Sequence, residues 1–429
     1  PCTVLGREFC EQRLLHSFGR RYNLFVKRLA LCSQRQKVRT AIFRITVLRH
    51  QPPLQQRRRR PTDGDLIQFP RLADVLRRHA RGFGKNGDQP PFRASAMDGY
   101  AVRTEDLATP GVTLRVTQRI PAGHHGHPLM AGEAARIFTG APIPPGANAV
   151  VMQEACEILP DGRVRIQTLP SAGQNVRRRG EDVRKGDVVV ARGTRLGPDH
   201  IGLLASIGNA SVTVYRRLRV ALMSTGDELI QPGTIAPAAL PPGAIYSSNA
   251  FFLSALLQRL GCDVTDFGNL PDQFEATKAA FLKAAVSHDL VLTSGGVSVG
   301  EEDHVKPAVE KLGELNLWKI RMKPGKPLAY GKVKQTPFIG LPGNPVSSFV
   351  TFCIFSLPFI KKMQGNTNYD SKILKVKANF DSKRAKPRRE YARVRIDYSS
   401  ETPLANLYPK QGSDVMSSVV WADGLIEIP

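Results

Sequence analysis

The chain has 429 residues, 41% of them hydrophobic, which allows two to four domains of roughly 100–200 residues each. No stretch approaches the roughly 18 uninterrupted apolar residues of a membrane span, so a soluble protein without a membrane partner is expected. The net charge of +24 is concentrated early, with 20 of the 61 Lys and Arg but only 6 of the 37 Asp and Glu in residues 1–89, and the six scattered cysteines show no CxxC pair, which argues against a zinc site or a disulfide framework and for a reducing cytoplasm.

Residues 1–60 show no periodic element. Arg57–Arg60 is a run of four arginines. Such a run can bind nucleic acid, but no aromatic platform or nucleic-acid motif accompanies it, so it reads as a solvated, disordered tail. "FPRLADVLRRHARGFG" (69–84) predicts a helix with Leu72, Val75 and Leu76 on one face. From 110 to 170, short alternating runs split by Gly and Pro predict a small all-β domain. Inside it, "GHHGHP" (123–128) offers three histidines, but without the i,i+4 or CxxC spacing that aims ligands together. A polar hairpin loop is the better reading. Residues 180–196 predict two strands and a turn, and 197–208 a helix with a Pro start and a Gly stop. Between 218 and 360, strands ("LRVALMS", "CDVTDFG", "DLVLTS", "FIGLP") alternate with helices, one opened by a Ser/Asn cap at "SNAFFLSALLQRLG", and one buried, "PVSSFVTFCIFSLPFIKKM". That alternation predicts a doubly wound, mostly parallel α/β sheet. Strand-like alternation returns after 365. The expected segments are a basic, unassigned 1–60; a flanking α/β piece from 61–106 and 180–216; a small β insertion, 107–179; the doubly wound α/β domain, 217–363; and a C-terminal β domain, 364–429.

In an open α/β sheet, ligands sit past the carboxyl ends of the strands. Three such ends here carry suggestive loops. The first offers Ser224, Thr225, Asp227 and Glu228; the second, "SGGVSVGEED", offers Ser294, Gly295, Gly296, Ser298 and Asp303; the third is Pro342-Gly343-Asn344-Pro345. Glycines let backbone amides approach a ligand, and helix N-termini attract anions, so a phosphate or other oxyanion is expected. Acids in the same crevice repel an anion unless a cation mediates. Mg²⁺ held by Glu228 and Asp303 suits that role. Lys319, Lys323 and Lys326, in a loop stiffened by Pro324 and Pro327, add point charges for a doubly charged oxyanion. The spacings GxGxxG and GxxxxGK[ST] are missing, and no Ser or Cys nucleophile has a nearby His, which excludes ordinary dinucleotide, P-loop and acyl-transfer readings.

Seven motifs, "SAMDGYAV" (95–102), "RIFTGAPIPPGANAVVMQE" (136–154), "GQNVRRRGED" (173–182), "STGDEL" (224–229), "TSGGVSVGEED" (293–303), "MKPGKP" (322–327) and "LPGNPVSS" (341–348), occur in the order seen in the MoeA-type molybdopterin molybdenumtransferases. The E domain of gephyrin is a relative. The resemblance implies a four-domain homodimer whose α/β domain is MogA/MoaB-like, with molybdopterin adenylyltransferase as a further partner. The implied reaction inserts molybdate into adenylylated molybdopterin and releases AMP and molybdenum cofactor, assisted by Mg²⁺. By motif, Asp98 and Thr139 resemble substrate-site residues supplied across the dimer; without the family they would read as turn residues. Asp182, with Arg177, Arg178 and Arg179, matches the "RRRGED" element. Glu228, Asp272 and Asp303 match the acidic set, and Lys319, Lys323 and Lys326 the anion-binding lysines. Arg393 and Ser413 match C-terminal positions that the resemblance implies bind substrate. Ser247 and Asn148 stand where the family usually shows Asp. The chain ends where relatives continue for another strand or two, so an unpaired sheet edge is expected in the C-terminal unit. The alternative reading is a gephyrin-like scaffold without activity. Retained Asp98, Glu228, Asp303 and lysines favour the enzyme, since a scaffold has no use for buried charge.

Overall fold

The computed structural model describes residues 43–47, 65–68, 80, 83–84, 87–297, 303–371, 373–381 and 388–428. They form two compact units. The larger takes in residues 216–429 and the first strand, β1 (Phe43–Val47); the smaller is residues 61–215.

In the smaller unit, β2 (Asp65–Gln68) pairs antiparallel with β13 (Ser211–Val214), and β3 (Phe83–Gly84) with β12 (Val188–Val190). Helix α1 (Pro198–Ser206) starts at the expected proline and packs Ile201 and Leu204 onto Ala80, Val190 and Val212. Two expectations change. Residues 83–84 are strand, while most of the helix expected at 69–84 lies outside the described residues. In 180–196, only β12 forms among the two expected strands.

The β insertion is a six-stranded sheet in the order β8 (Ala149–Met152), β5 (Gly99–Val102), β7 (Glu133–Ile137), β6 (Val112–Ile120), β10 (Val164–Ile166), β9 (Cys156–Ile158). The boundary expected at 106/107 is therefore too late, because β5 lies inside this sheet. Both faces are covered. Tyr100, Val102, Leu114 and Val164 lie in one core; Ala101, Ile120, Ile137 and Val150 lie in the other. A strand buried on both faces loses the alternating signature, which is why β5 was not legible as a strand. Beside it, β4 (Ala94–Ser95) pairs with β11 (Val176–Arg177). Asn148 accepts from the Thr104 amide (2.9 Å) and donates to Thr104 Oγ1 (2.8 Å) and Glu105 Oε1 (2.9 Å). An aspartate there would set two carboxylates against each other.

The larger unit is built on a sheet in the order β17 (Asp263–Leu270), β14 (Arg219–Thr225), β18 (Leu290–Ser294), β22 (Thr336–Leu341), β21 (Ala329–Val333), β19 (Gly313–Trp318). The first four strands are parallel, and the last two are joined antiparallel. Helix α2 (Asn249–Arg259) covers one face together with a long helix made of α5 (Pro345–Thr351), a π turn (Phe352–Ser356) and α6 (Leu357–Met363). Helices α3 (Phe274–Ser287) and α4 (Val305–Leu312) cover the other. The sheet is doubly wound, as expected. The stretch Pro345–Met363 is long and apolar enough to cross a bilayer, but Val346, Val350, Phe352, Phe359 and Ile360 are buried inside the protein. A short parallel pair, β15 (Leu229–Ile230) and β16 (Ile245–Tyr246), closes the loop after β14.

The C-terminal strands are β23 (Ile373–Ala378), β24 (Arg389–Asp397), β25 (Leu404–Leu407) and β26 (Gly424–Ile428), with helix α7 (Met416–Trp421) before the last. They do not end on an open edge. β1 sits antiparallel between β23 and β26, with Phe43 opposite Val376 and Ile45 opposite Ile426, and β24 pairs with both β25 and β26, so the five strands close a ring. The strand comes from the segment to which the sequence assigned no element. A further strand, β20 (Met322–Lys323), joins β24 in parallel and ties the lysine loop to this ring.

At the starting end of the parallel strands, Asp289 accepts from both Arg216 terminal nitrogens (2.5 and 2.8 Å), from the Arg219 amide (2.8 Å) and from Arg219 Nη2 (3.0 Å). Despite burial, which alone would raise it, these donors hold its carboxyl well below the usual range. The folded pKa is depressed, so the stability is fully present above about pH 5 and is lost as pH falls through about 4 and below. Asp289→Asn is expected to cost about 2 kcal/mol at pH 7 in urea unfolding, with the difference shrinking below about pH 4. Removing residues 1–60 is expected to leave β23 and β26 unpaired along one edge each, read as faster amide hydrogen exchange at 373–378 and 424–428 than in the full chain.

Candidate functional site

In the larger unit, β14, β18 and β22 end side by side, with Ser224 opposite Ser294 and Ser294 opposite Leu341. Ser224, Thr225 and Ser294 are buried at this end. Gly295 and Gly296 have φ of +91° and +65°, a backbone side-chain-bearing residues rarely adopt. A Cβ on Gly295 would lie 2.6 Å from the Thr225 carbonyl oxygen, and one on Gly296 would lie 2.8 Å from Thr225 Oγ1. The glycines thus let the β18 turn close against the β14 turn. Ser298, Glu301 and Glu302 lie outside the described residues.

The acids gather at the same end. Asp227 and Asp272 exchange long backbone-to-carboxylate contacts of 3.4 Å in each direction, and Asn269 Nδ2 donates to the Gly226 carbonyl (2.8 Å). The Asp272 carboxyl is pushed up, first by burial and then by the charges of Asp227 and Glu228, while His304 pulls the other way. Asp272 therefore lies within electrostatic reach of Glu228 and of His304, the residue next to Asp303, whose two carboxylate oxygens are shielded from solvent. No group of three or more His, Cys, Asp or Glu with metal-holding geometry occurs among the described residues. The three histidines of 123–128 are not gathered into one either, and His125 instead lies edge-on to Phe92.

The third turn is held from two sides. Asn344 Nδ2 donates to Ser413 Oγ (3.3 Å) and the Val346 amide to the Ser413 carbonyl (3.0 Å), so Ser413 joins the Pro342–Pro345 turn. Gly343 O accepts from Asn249 Nδ2 (2.6 Å), which also donates to Ser294 Oγ (2.8 Å). The sequence missed Asn249 because it read "SSN" as a helix cap; neither residue caps through its side chain. Of the lysines, Lys326 is exposed and Lys319 has a φ of +72°. Lys323 is not a free point charge: its Nζ lies 3.1 Å from Glu390 Oε1 on β24, a partner no motif announced. Arg393, expected to bind substrate, is 1% exposed. It donates to Ser418 Oγ (2.9 Å) and the Gly412 carbonyl (2.8 Å), and so supports the loop carrying Ser413 rather than facing a ligand.

The smaller unit holds its own group. Asp98 Oδ1 accepts from both the amide and the hydroxyl of Thr139, each at 2.7 Å, across 41 residues. This is no local turn. Those two bonds, with Arg136 nearby, hold the Asp98 carboxyl below its usual value. Beside it lies a cavity of about 600 Å³ lined by Pro90, Phe92, Gly140, Arg177, Glu181 and Asp182, so the "RRRGED" element and the Thr139 turn share one hollow. Arg179 is paired with Asp88 (2.6 Å) and the Arg178 amide with Glu181 (2.7 Å), which fixes the element's backbone.

Three comparisons bear on these residues. Residues 77–208 match the family model of the MoeA N-terminal region (domain I and II), 221–362 that of a probable molybdopterin binding domain, and 375–429 that of the MoeA C-terminal region (domain IV). The chain is 48% identical over 281 residues to the molybdopterin molybdenumtransferase of Haemophilus influenzae, covering 65% of this chain and 68% of that one. It is 38% identical over 355 residues to molybdopterin molybdenumtransferase 2 of Mycobacterium tuberculosis, covering 79% and 85%. Among solved structures, the molybdopterin biosynthesis MoeA protein of Pyrococcus horikoshii OT3 superposes with a TM-score of 0.74 at 29% identity, covering 86% of this chain and 90% of that one. The three matched regions follow one another in the family's order and take in the turns just described: the chain belongs to the MoeA family of molybdopterin molybdenumtransferases.

Proposed function

We propose that the chain acts in molybdenum cofactor biosynthesis as a molybdopterin molybdenumtransferase. It takes adenylylated molybdopterin and molybdate, places the metal oxyanion on the dithiolene, and releases AMP and molybdenum cofactor. The observation that carries the reading is the meeting of buried hydroxyls, two left-handed glycines and a carboxylate group at one end of β14, β18 and β22. Hydroxyls and open backbone amides suit oxyanions, and both substrates carry them.

The Asp272 carboxyl is raised first by burial and then by the charges of Asp227 and Glu228, so the place is both sheltered and negative. A magnesium ion fits such a place, because it uses one or two carboxylates plus phosphate oxygens and needs no all-protein cage. Glu228 and Asp303 would hold it, and bound there it would neutralise the adenylate's phosphate. The protein's part is to orient that phosphate on Ser294 and the glycine turn, to keep water out with the buried threonine and serines, and to bring the cationic Lys319 and Lys326 near. Within the smaller unit, Asp98 is held by Thr139 below its usual value and is a fixed negative group or proton acceptor there. A homodimer and a cytoplasmic setting belong to the same reading.

Asp303→Asn removes one charge at nearly constant volume. Molybdate insertion in a reconstituted assay with adenylylated molybdopterin, molybdate and Mg²⁺ is expected to fall on the order of 100-fold with the thermal midpoint unchanged; full activity would overturn the acidic-site assignment. Thr139→Val deletes one of the two donors that depress the Asp98 carboxyl. Its pKa then rises, so the acidic limb of the pH–rate profile is expected to move to higher pH, and an unmoved limb would count against a catalytic Asp98.

A further inference from the structure

Asn249 opens α2, yet its side chain does no capping. The residue is 9% exposed, and its amide donates both hydrogens across elements, to Ser294 Oγ at the end of β18 and to the Gly343 carbonyl after β22. One residue from a third segment thus ties together the turns of two adjacent strands. Its Oδ1 is shielded from solvent and has no hydrogen-bond partner among the described residues. A buried amide with half its capacity unmet is a poor choice for stability alone, so the donor half has to explain its presence.

The direction of those bonds has a chemical consequence. A hydroxyl has one proton. Because Ser294 Oγ accepts from Asn249, its own proton is left to be donated elsewhere. The second bond, to the Gly343 carbonyl, fixes the Asn249 amide between the two turns, so that its other hydrogen stays aimed at Ser294 Oγ. We propose that Asn249, anchored on the Gly343 carbonyl, is a positioning residue that sets Ser294 as a hydrogen-bond donor to a phosphate-type oxyanion. This rests on the nucleotide reading of the crevice given above.

The test uses the full chain with AMP as probe and adenosine, which lacks the phosphate, as control, followed by isothermal titration calorimetry. Asn249→Ala is expected to weaken AMP about tenfold, equivalent to about 1.4 kcal/mol, and to leave adenosine unchanged. In a Ser294→Ala background, the same substitution is expected to add less than about twofold, because it acts through the missing hydroxyl. Asn249→Asp accepts where Asn donates. Relative to wild type at each pH, its AMP affinity is expected to be low at pH 8 and to recover towards pH 5 as the new carboxyl regains a proton. A purely structural role predicts additive losses, equal loss of adenosine, and no pH-dependent recovery; any of these overturns the proposal. If Asn249→Ala does not fold, the Asn249→Asp pH series and Ser294→Ala decide it alone. Wild-type protein that binds no AMP would instead sink the crevice reading itself.

Discussion

The crevice depends first on parallel register. Ser224, Ser294 and Leu341 lie level on three neighbouring strands, so three turns leave the sheet at one height and on one side. Side chains alternate along a strand, so a slip of one residue would turn Ser294 to the other face. The apolar runs above and below forbid that slip: Val220, Leu222 and Leu292 are committed to one core, and Ala221, Met223 and Val291 to the other. The position of the strand-end hydroxyls is therefore set by the packing of buried apolar residues.

Charge is arranged around this frame in two blocs. Acids gather after β14 and before α4, where burial and then the charges of Asp227 and Glu228 push the Asp272 carboxyl up. Bases gather on the loop before β21 and in the C-terminal ring. There Glu390, 8% exposed, is paired with Lys323 and lies within electrostatic reach of buried Arg393. That carboxylate lets two cations sit near one another without a substrate. The C-terminal strands are thus part of how the lysine loop is held.

The α/β domain is legible because its strands and helices alternate with clear punctuation, such as the glycines after Ser294 and Pro345 at the start of α5. The turns at Ser294 and Pro342–Pro345 could be read as a site because small residues at strand ends have few other uses. Side-chain pairs between distant segments could not be read. Nothing in "SSN" distinguishes a cap from a strap reaching Ser294, and nothing in "REYARVRID" marks Glu390 as the counterion of Lys323 or Arg393 as buried. The left boundary of the β insertion was misplaced because "GYAV" is covered on both faces and does not alternate. Asp98 and Thr139 are found by family motif; they come together because β5 and β7 pair with Gly99 opposite Ile137, a register the sequence does not announce.

The ring closed by β1 has a consequence for biogenesis. That strand leaves the ribosome hundreds of residues before β23 and β26, between which it lies. During synthesis, its backbone edges have no home until almost the entire polypeptide has emerged. Such long-range pairings are the slow step of assembly and the exposed edges most open to mispairing with other chains. Yield and solubility should therefore respond to how translation is paced and to chaperone supply more than to any property of the finished crevice.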